Sequence, residues 1–187
     1  MQTDDYGLDA YVDDLRRITS AINDEGEIIA KVSPLSRRFA LGKTWLREEH
    51  YKTNPEQGYE TFLLHEESDH SLAVMAINWT PGHNTPVHDH GTWVVVCGVI
   101  GTETNVSYRR IDDRKRPDYA VLEVKNETIA GTGDLVCMKT GGIHAVHNQS
   151  DELSISLHTY GMNFNFTGRS QFDLETNEKK DFIVDMR

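Results

Sequence analysis

Nowhere in this 187-residue sequence do apolar residues approach the ~18 in a row that a membrane-spanning helix needs. The start, MQTDDYGLDAYVDDL, lacks the basic opening and apolar run of a secretory signal, so a cytoplasmic protein is expected. Cysteine is scarce as well. Cys97 and Cys137 are too few for a disulfide framework, and both fall in apolar strand-like runs, where buried free thiols are expected. Basic charge is in deficit, with 19 Lys and Arg against 30 Asp and Glu and a net charge of -11. Nucleic acid and anionic membranes reward clustered positive charge, so neither is an expected partner. An anionic ligand would be repelled at long range and needs a local cation to receive it. No repeat, low-complexity tract or linker divides the chain, which reads as one domain over residues 1–187.

What is present changes character near residue 60. Leu8, Tyr11, Val12, Leu15, Ile18 and Ile22 recur at helical spacing, with Gly26 as a stop. Ser33 reads as an N-cap and Pro34 as the first position of a second helix through Phe39. A third short helix is expected from Lys43 to about Tyr51, so residues 1–52 form a helical segment packed on the remainder of the chain. Beyond that, residues 61–64, 71–79, 92–100, 102–111, 119–124, 134–138 and 153–160 read as short strands. The turn-rich pieces TPGHNTP, DDRKRPD, GTG and NQSDE separate them. With no helices between them, a parallel α/β sheet is excluded. A mainly β sandwich or jelly-roll barrel is expected.

Nine histidines are the chemical content. His88 and His90 are two apart, so on a strand both imidazoles leave the same face and can reach one metal ion. Alone, such a pair is as compatible with surface or hydrogen-bonded histidines. Pro81-Gly82 precedes it, and downstream come Gly133, the run DLVCM, the step KTGGIH ending at His144, and Asn148. This two-part pattern resembles the cupin superfamily, with Lys139 where a proline is usual. The resemblance implies a double-stranded β-helix barrel holding a metal at His88, His90 and His144. Cupins commonly add a glutamate after the first pair, but here the stretch is GTWVVV, with no carboxylate. Three neutral imidazoles leave the metal's charge uncompensated and favour an anionic ligand such as a thiolate.

Ser156, His158 and Tyr160 share one face of SISLHTY, opposite Ile155, Leu157 and Thr159. By itself this is also what a solvent-facing side of a sandwich strand looks like. Together, TPVHDHGTW, GGIHAVHN and SISLHTYG resemble the thiol dioxygenases related to cysteine dioxygenase, over roughly residues 59–172. The likeness is to the bacterial branch acting on mercaptocarboxylates such as 3-mercaptopropionate. It implies iron(II) as cofactor, dioxygen and a small thiol with a carboxylate as substrates, and Ser156, His158 and Tyr160 as a hydrogen-bonded relay beside the iron. Arg169 matches the arginine that holds the substrate carboxylate, a task suited to its planar fork. Thr61 stands where an arginine or glutamine is usual, so mercaptosuccinate is as compatible as 3-mercaptopropionate. Cysteine dioxygenase proper, another metal-dependent cupin dioxygenase and a non-catalytic cupin binding module are the alternatives. His147 is expected behind the ligands or at the surface, and His83 in a solvated turn.

Val95 occupies the position aligned with the cysteine that some relatives crosslink to the tyrosine, and Cys97 is the nearest substitute. Tyr160 should therefore remain an unmodified phenol. Intact mass and denaturing electrophoresis are expected to show one species, without the two-hydrogen loss of a thioether. A doublet that collapses in Cys97→Ser would contradict this.

Overall fold

A computed structural model describes residues 6–54 and 56–187, so residues 1–5 of the expected helical segment lie outside the described residues. Helix α1 (Leu8–Ala21) buries Tyr11, Val12 and Leu15 on one side. Helix α2 (Glu25–Gly42) begins earlier than the sequence suggests and runs straight through Pro34. Asp24 is the effective cap, its carboxylate accepting from Glu27 N at 2.9 Å, with Glu25 and Glu27 favourably placed in the first turn. The buried stripe Ile28, Val32, Ser36, Phe39 is continuous across the proline, so tertiary packing outweighs the lost backbone hydrogen bond. Ser33 does not cap; its hydroxyl donates back to Ile29 O at 2.7 Å. Gly26 is accordingly in the first turn of α2 rather than a stop. The third helix shrinks to one 3₁₀ turn, Glu48–Tyr51, because Lys43 ends α2 in the left-handed region at φ 54. Among the described residues no helix is long and apolar enough to cross a membrane.

Eleven strands come next among the described residues: β1 (Tyr59–Glu66), β2 (Ala73–Trp79), β3 (Val87–Asp89), β4 (Val94–Ile100), β5 (Glu103–Arg110), β6 (Leu122–Ala130), β7 (Leu135–Met138), β8 (Ile143–His147), β9 (Ser154–Tyr160), β10 (Ser170–Phe172) and β11 (Lys179–Asp181). They form two antiparallel sheets, ordered β1-β2-β9-β4-β7 and β11-β10-β3-β8-β5-β6, which give the expected double-stranded β-helix. The strand expected at 119–124 lies instead at Leu122–Ala130. Its KNET stretch is exposed on an edge, where apolar alternation is not required.

The first sheet is buried on both faces, and that fact organises the molecule. Its outer face packs on the helices through Tyr11, Phe39, Trp93, Val95, Cys97, Ile155 and Leu157. Its inner face meets the second sheet through Met75, Ile77, Val94, Val96, Val146 and Tyr160. Strands β2 and β4 therefore read as nearly unbroken apolar or small runs, while β9 keeps an alternation whose polar side is also buried. Tyr11 OH meets Thr159 Oγ1 at 2.6 Å on the outer side, fixing α1 to β9. Cys97 is buried as expected, but Cys137 is exposed, because β7 is an edge strand.

Phe39 is fully buried and stacks on Tyr11 with centroids 4.8 Å apart. Phe39→Ala should cost about 3–5 kcal/mol of stability, as expected for a large core truncation. Metal content per folded molecule should be unchanged, since Phe39 lies on the opposite face of the sheet from the histidines. Guanidinium unfolding together with metal analysis checks both statements.

Candidate metal centre

Strands β3 and β8 pair so that His88 lies directly opposite His144. His90 comes one residue after β3, where Gly91 turns the chain at φ +65 and Thr167 Oγ1 donates to His90 O at 2.7 Å. A Cβ on Gly91 would stand 2.7 Å from the Thr167 side chain, so only glycine allows this closure. The three rings converge. His90 Nε2 is 3.2 Å from His88 Nε2 and 3.3 Å from His144 Nε2.

Their second nitrogens explain the orientation. His88 Nδ1 faces Pro86 O at 2.9 Å, and His144 Nδ1 faces Asn105 Oδ1 at 3.1 Å. Both partners only accept, so both Nδ1 atoms carry the proton and leave Nε2 as a bare lone pair. Both bare nitrogens face His90 Nε2, which either donates a proton to one of them or, as a ligand, turns a third lone pair to a shared cation. Burial lowers the basicity of all three: His88 falls to about 4, and His90 and His144 lie well below the ordinary range. Neutral imidazoles are the ligand form, and the donor set suits a divalent transition metal. Among the described residues this is the group of His, Cys, Asp and Glu side chains arranged to hold such an ion.

Beside the histidines lies a cavity of about 30 Å³, walled by Tyr59, Thr61, Trp79, Tyr160, Phe164, Arg169, Phe182 and Val184 among others. The row on β9 faces inward, so its alternative as a solvent face is overturned by the second sheet covering it. Ser156 Oγ is 2.8 Å from His158 Nε2, and His158 Nδ1 is 2.9 Å from Tyr160 OH. Burial holds His158 near 3, hence neutral, and pushes the Tyr160 phenol up. Arg169 is 5% exposed, with its guanidinium carbon 3.9 Å from the Phe164 ring centre and 4.2 Å from that of Phe182. Its Nε donates to Phe182 O at 3.0 Å, while Nη2 is buried without a partner. Burial lowers its pKa to about 10, so it stays cationic at neutral pH. Thr61 Oγ1 is also buried and unpartnered at the cavity wall.

A family model for cysteine dioxygenase type I matches residues 48–172. The chain belongs to this family. Solved structures with a related barrel include recombinant oxalate oxidase in complex with glycolate, at 13% identity over 59% of this chain and 54% of that one, TM-score 0.47. DMSP lyase DddQ from Ruegeria pomeroyi DSS-3 is similar at 17% identity over 66% and 57%, TM-score 0.46. An uncharacterized protein with a double-stranded β-helix domain from Klebsiella pneumoniae is similar at 15% identity over 66% and 86%, TM-score 0.46. The chain spans little more than half the length of the oxalate oxidase.

The structure brings His88, His90, His144, Ser156, His158, Tyr160, Arg169 and Thr61 to one cavity region. It does not bring Val95 there. Val95 and Cys97 face the helices, and the residue paired with Tyr160 across β4 and β9 is Val94. Counting from the ligands misses this, because only the ladder register tells which parity faces inward. His83 is exposed and His147 half-buried, both away from the cavity. Sequence reasoning missed Tyr59, Phe182 and Val184. For the last two, the apolar run FIV within an otherwise charged tail was the available signal.

The buried imidazoles are neutral when folded and ordinary when unfolded. Their contribution is complete above about pH 6.5, the unfolded value, and is lost as pH falls toward about 4 for His88. The metal-free protein should thus show a falling Tm from pH 7 to pH 5. Added divalent metal should raise Tm by a similar amount at pH 7 and pH 5, where the folded ligands are still neutral, and by less below about pH 4, where protons compete for the same lone pairs. Calorimetry with and without metal measures this, and a flat profile would contradict the neutral-ligand assignment.

Proposed function

We propose that this chain is an iron(II)-dependent thiol dioxygenase that converts a small mercaptocarboxylate and dioxygen to the sulfinic acid. The observation that carries the reading is Arg169: a buried cation with an unpaired Nη2, aimed into the same cavity as three neutral imidazoles. Among the described residues no carboxylate lines that cavity. One fixed positive charge beside a divalent site calls for a ligand that brings its own negative charges, a thiolate and a carboxylate.

His88, His90 and His144 would hold the iron, which would supply the redox chemistry by which both atoms of dioxygen end on the thiol sulfur. Arg169 fixes the substrate carboxylate, and the rings of Phe164 and Phe182 packed on its guanidinium hold it in position. Tyr160, aligned by His158 and Ser156, supplies a hydrogen-bonding hydroxyl 2.9 Å from His158 Nδ1 on the cavity side of β9. The aromatic and aliphatic walls limit water. Cysteine fits less well, since its ammonium would meet no anion among the lining residues. Thr61 offers an unpaired hydroxyl for a further polar group, so mercaptosuccinate stays beside 3-mercaptopropionate as substrate.

The iron-loaded protein is to be screened on an oxygen electrode with 3-mercaptopropionate, mercaptosuccinate, cysteine and cysteamine. The carboxylate pair is worth roughly 1.5–3 kcal/mol, so the mercaptocarboxylates should exceed cysteamine by about tenfold to over a hundredfold in kcat/KM. Arg169→Ala should erase most of that preference and keep the iron; Arg169→Lys should restore part of it. Equal rates on all four thiols, unchanged in Arg169→Ala, would overturn the substrate class. Oxygen uptake with none of them would overturn the reaction.

A further inference from the structure

The cavity beside the histidines is smaller than the ligand proposed for it. Its volume is about 30 Å³, roughly the share of one water molecule in the liquid. A mercaptocarboxylate brings a sulfur, a carbon chain and a carboxylate, so part of the wall must move before it enters. Most of the wall is fixed, because it is built from residues of β1, β2, β3, β8 and β9 held in the ladders of the barrel. Val184 is different. It lines the cavity and is 7% exposed, yet it belongs to residues 183–187, which follow β11 in neither helix nor strand. We propose that residues 183–187 are the movable wall through which the substrate enters, and that Asn165 is the residue that latches it.

The attachment of this segment is slight. Among the described residues, four hydrogen bonds hold it. Two run to β1: Arg187 N donates to Thr61 O at 2.9 Å, and Leu63 N donates to Arg187 O at 2.8 Å. The other two come from a single side chain. Asn165 Oδ1 accepts from Val184 N at 3.1 Å, and Asn165 Nδ2 donates to Val184 O at 2.8 Å. One amide thus stands in for the strand that Val184 does not have beside it. Ile183 is 74% exposed and Asp185 is exposed, while Met186 adds a partly buried apolar contact. The Arg187–Glu60 ion pair at 3.2 Å uses a largely exposed guanidinium, and such pairs stabilise weakly.

The latch itself is firmly seated. Asn165 lies in the 3₁₀ turn Phe164–Phe166, whose cap, Asn163, is fully buried. Asn163 Oδ1 accepts from Asn165 N at 3.0 Å, and its Nδ2 donates to Glu66 Oε1 at 2.6 Å. Its own backbone N donates to His70 O at 2.9 Å. These bonds do not involve residues 183–187, so the turn stays in place when the segment lifts. Phe182 stays as well, since its N–H donates to Arg169 O at 3.1 Å, just beyond the β10–β11 ladder. The hinge therefore falls between Phe182 and Val184. Opening there widens the cavity without releasing the two rings packed on Arg169. Asn165 is a positioning residue, acting on entry through Val184. What enters rests on the thiol dioxygenase reading, whereas the opening does not.

The opening is read from amide hydrogen exchange of the full chain loaded with diamagnetic zinc(II), followed residue by residue by NMR. The Val184, Arg187 and Leu63 amides should exchange through one common opening, faster than those of β9. Asn165→Ala removes two hydrogen bonds and should speed all three by a common factor of about tenfold or more. The Phe182 and β9 amides should be unchanged, which also shows that the variant is folded. Arg187→Ala, which removes only the exposed ion pair, should have little effect. With cobalt(II) in place of iron, binding of 3-mercaptopropionate is followed by its thiolate-to-metal absorption. Association should accelerate in Asn165→Ala by about the factor seen in exchange, because only the open fraction takes up ligand. Exchange at Leu63 and Arg187 that is unchanged in Asn165→Ala would overturn the proposal. So would faster exchange with unchanged association, even in a protein that oxidises thiols. A cobalt protein that binds no thiol would overturn both the entry route and the functional reading. Matched acceleration in a protein that takes up no oxygen with any thiol would support the movable wall while removing the functional reading.

Discussion

Three imidazole nitrogens converge, with His90 Nε2 little more than 3 Å from each of the other two, and much of this molecule serves to keep them there. Left free, each ring would turn toward a donor or toward water. The Pro86 carbonyl and the Asn105 amide prevent this by occupying the opposite nitrogens of His88 and His144. The pairing of β3 with β8 fixes the distance between those rings, and the closure at Gly91 and Thr167 brings in the third. What results is a small volume of concentrated negative potential in an apolar interior. Such an arrangement is costly without a cation and strongly selective for one.

Strand β9 divides the labour of the fold. Its odd-numbered residues, Ile155, Leu157 and Thr159, tie the sheet to the helical layer, while its even-numbered ones, Ser156, His158 and Tyr160, carry polar groups into the barrel. A substitution on one parity disturbs the packing on the helices, and one on the other disturbs the hydrogen-bonded row inside the barrel, although the residues are adjacent in the chain. The helices matter to the site through this strand. They cover its outer face and so allow the inner face to be dry.

Much of this was legible in the sequence because period-two spacing survives translation into three dimensions. His88 with His90, and Ser156 with His158 and Tyr160, could be placed on common faces by counting alone. Counting does not say which face is inside. The β9 row was as compatible with solvent as with the barrel interior, and the second sheet that covers it is contributed by distant segments. Val95 failed for the same reason, its parity being right for the helices and wrong for Tyr160. The start of α2 was misread because Ser33-Pro34 is a strong local signal, overruled by the core stripe from Ile28 to Phe39. Arg169 was reached only through family likeness, as one arginine near a surface turn carries no pattern of its own.

Phe182 has a double employment. Its ring forms part of the cavity wall and part of the Arg169 sandwich, and its carbonyl accepts from Arg169 Nε. Backbone bonds from Arg187 to Thr61 and Leu63 lay the rest of that segment along β1. Room and grip are therefore mechanically linked in this pocket. A shorter side chain at position 182 enlarges the cavity and, in the same step, takes away one of the two rings packed on the Arg169 guanidinium. Any change that widens the chamber along this route also loosens Arg169, whereas a change at another part of the wall, Thr61 first among them, leaves those two rings in place.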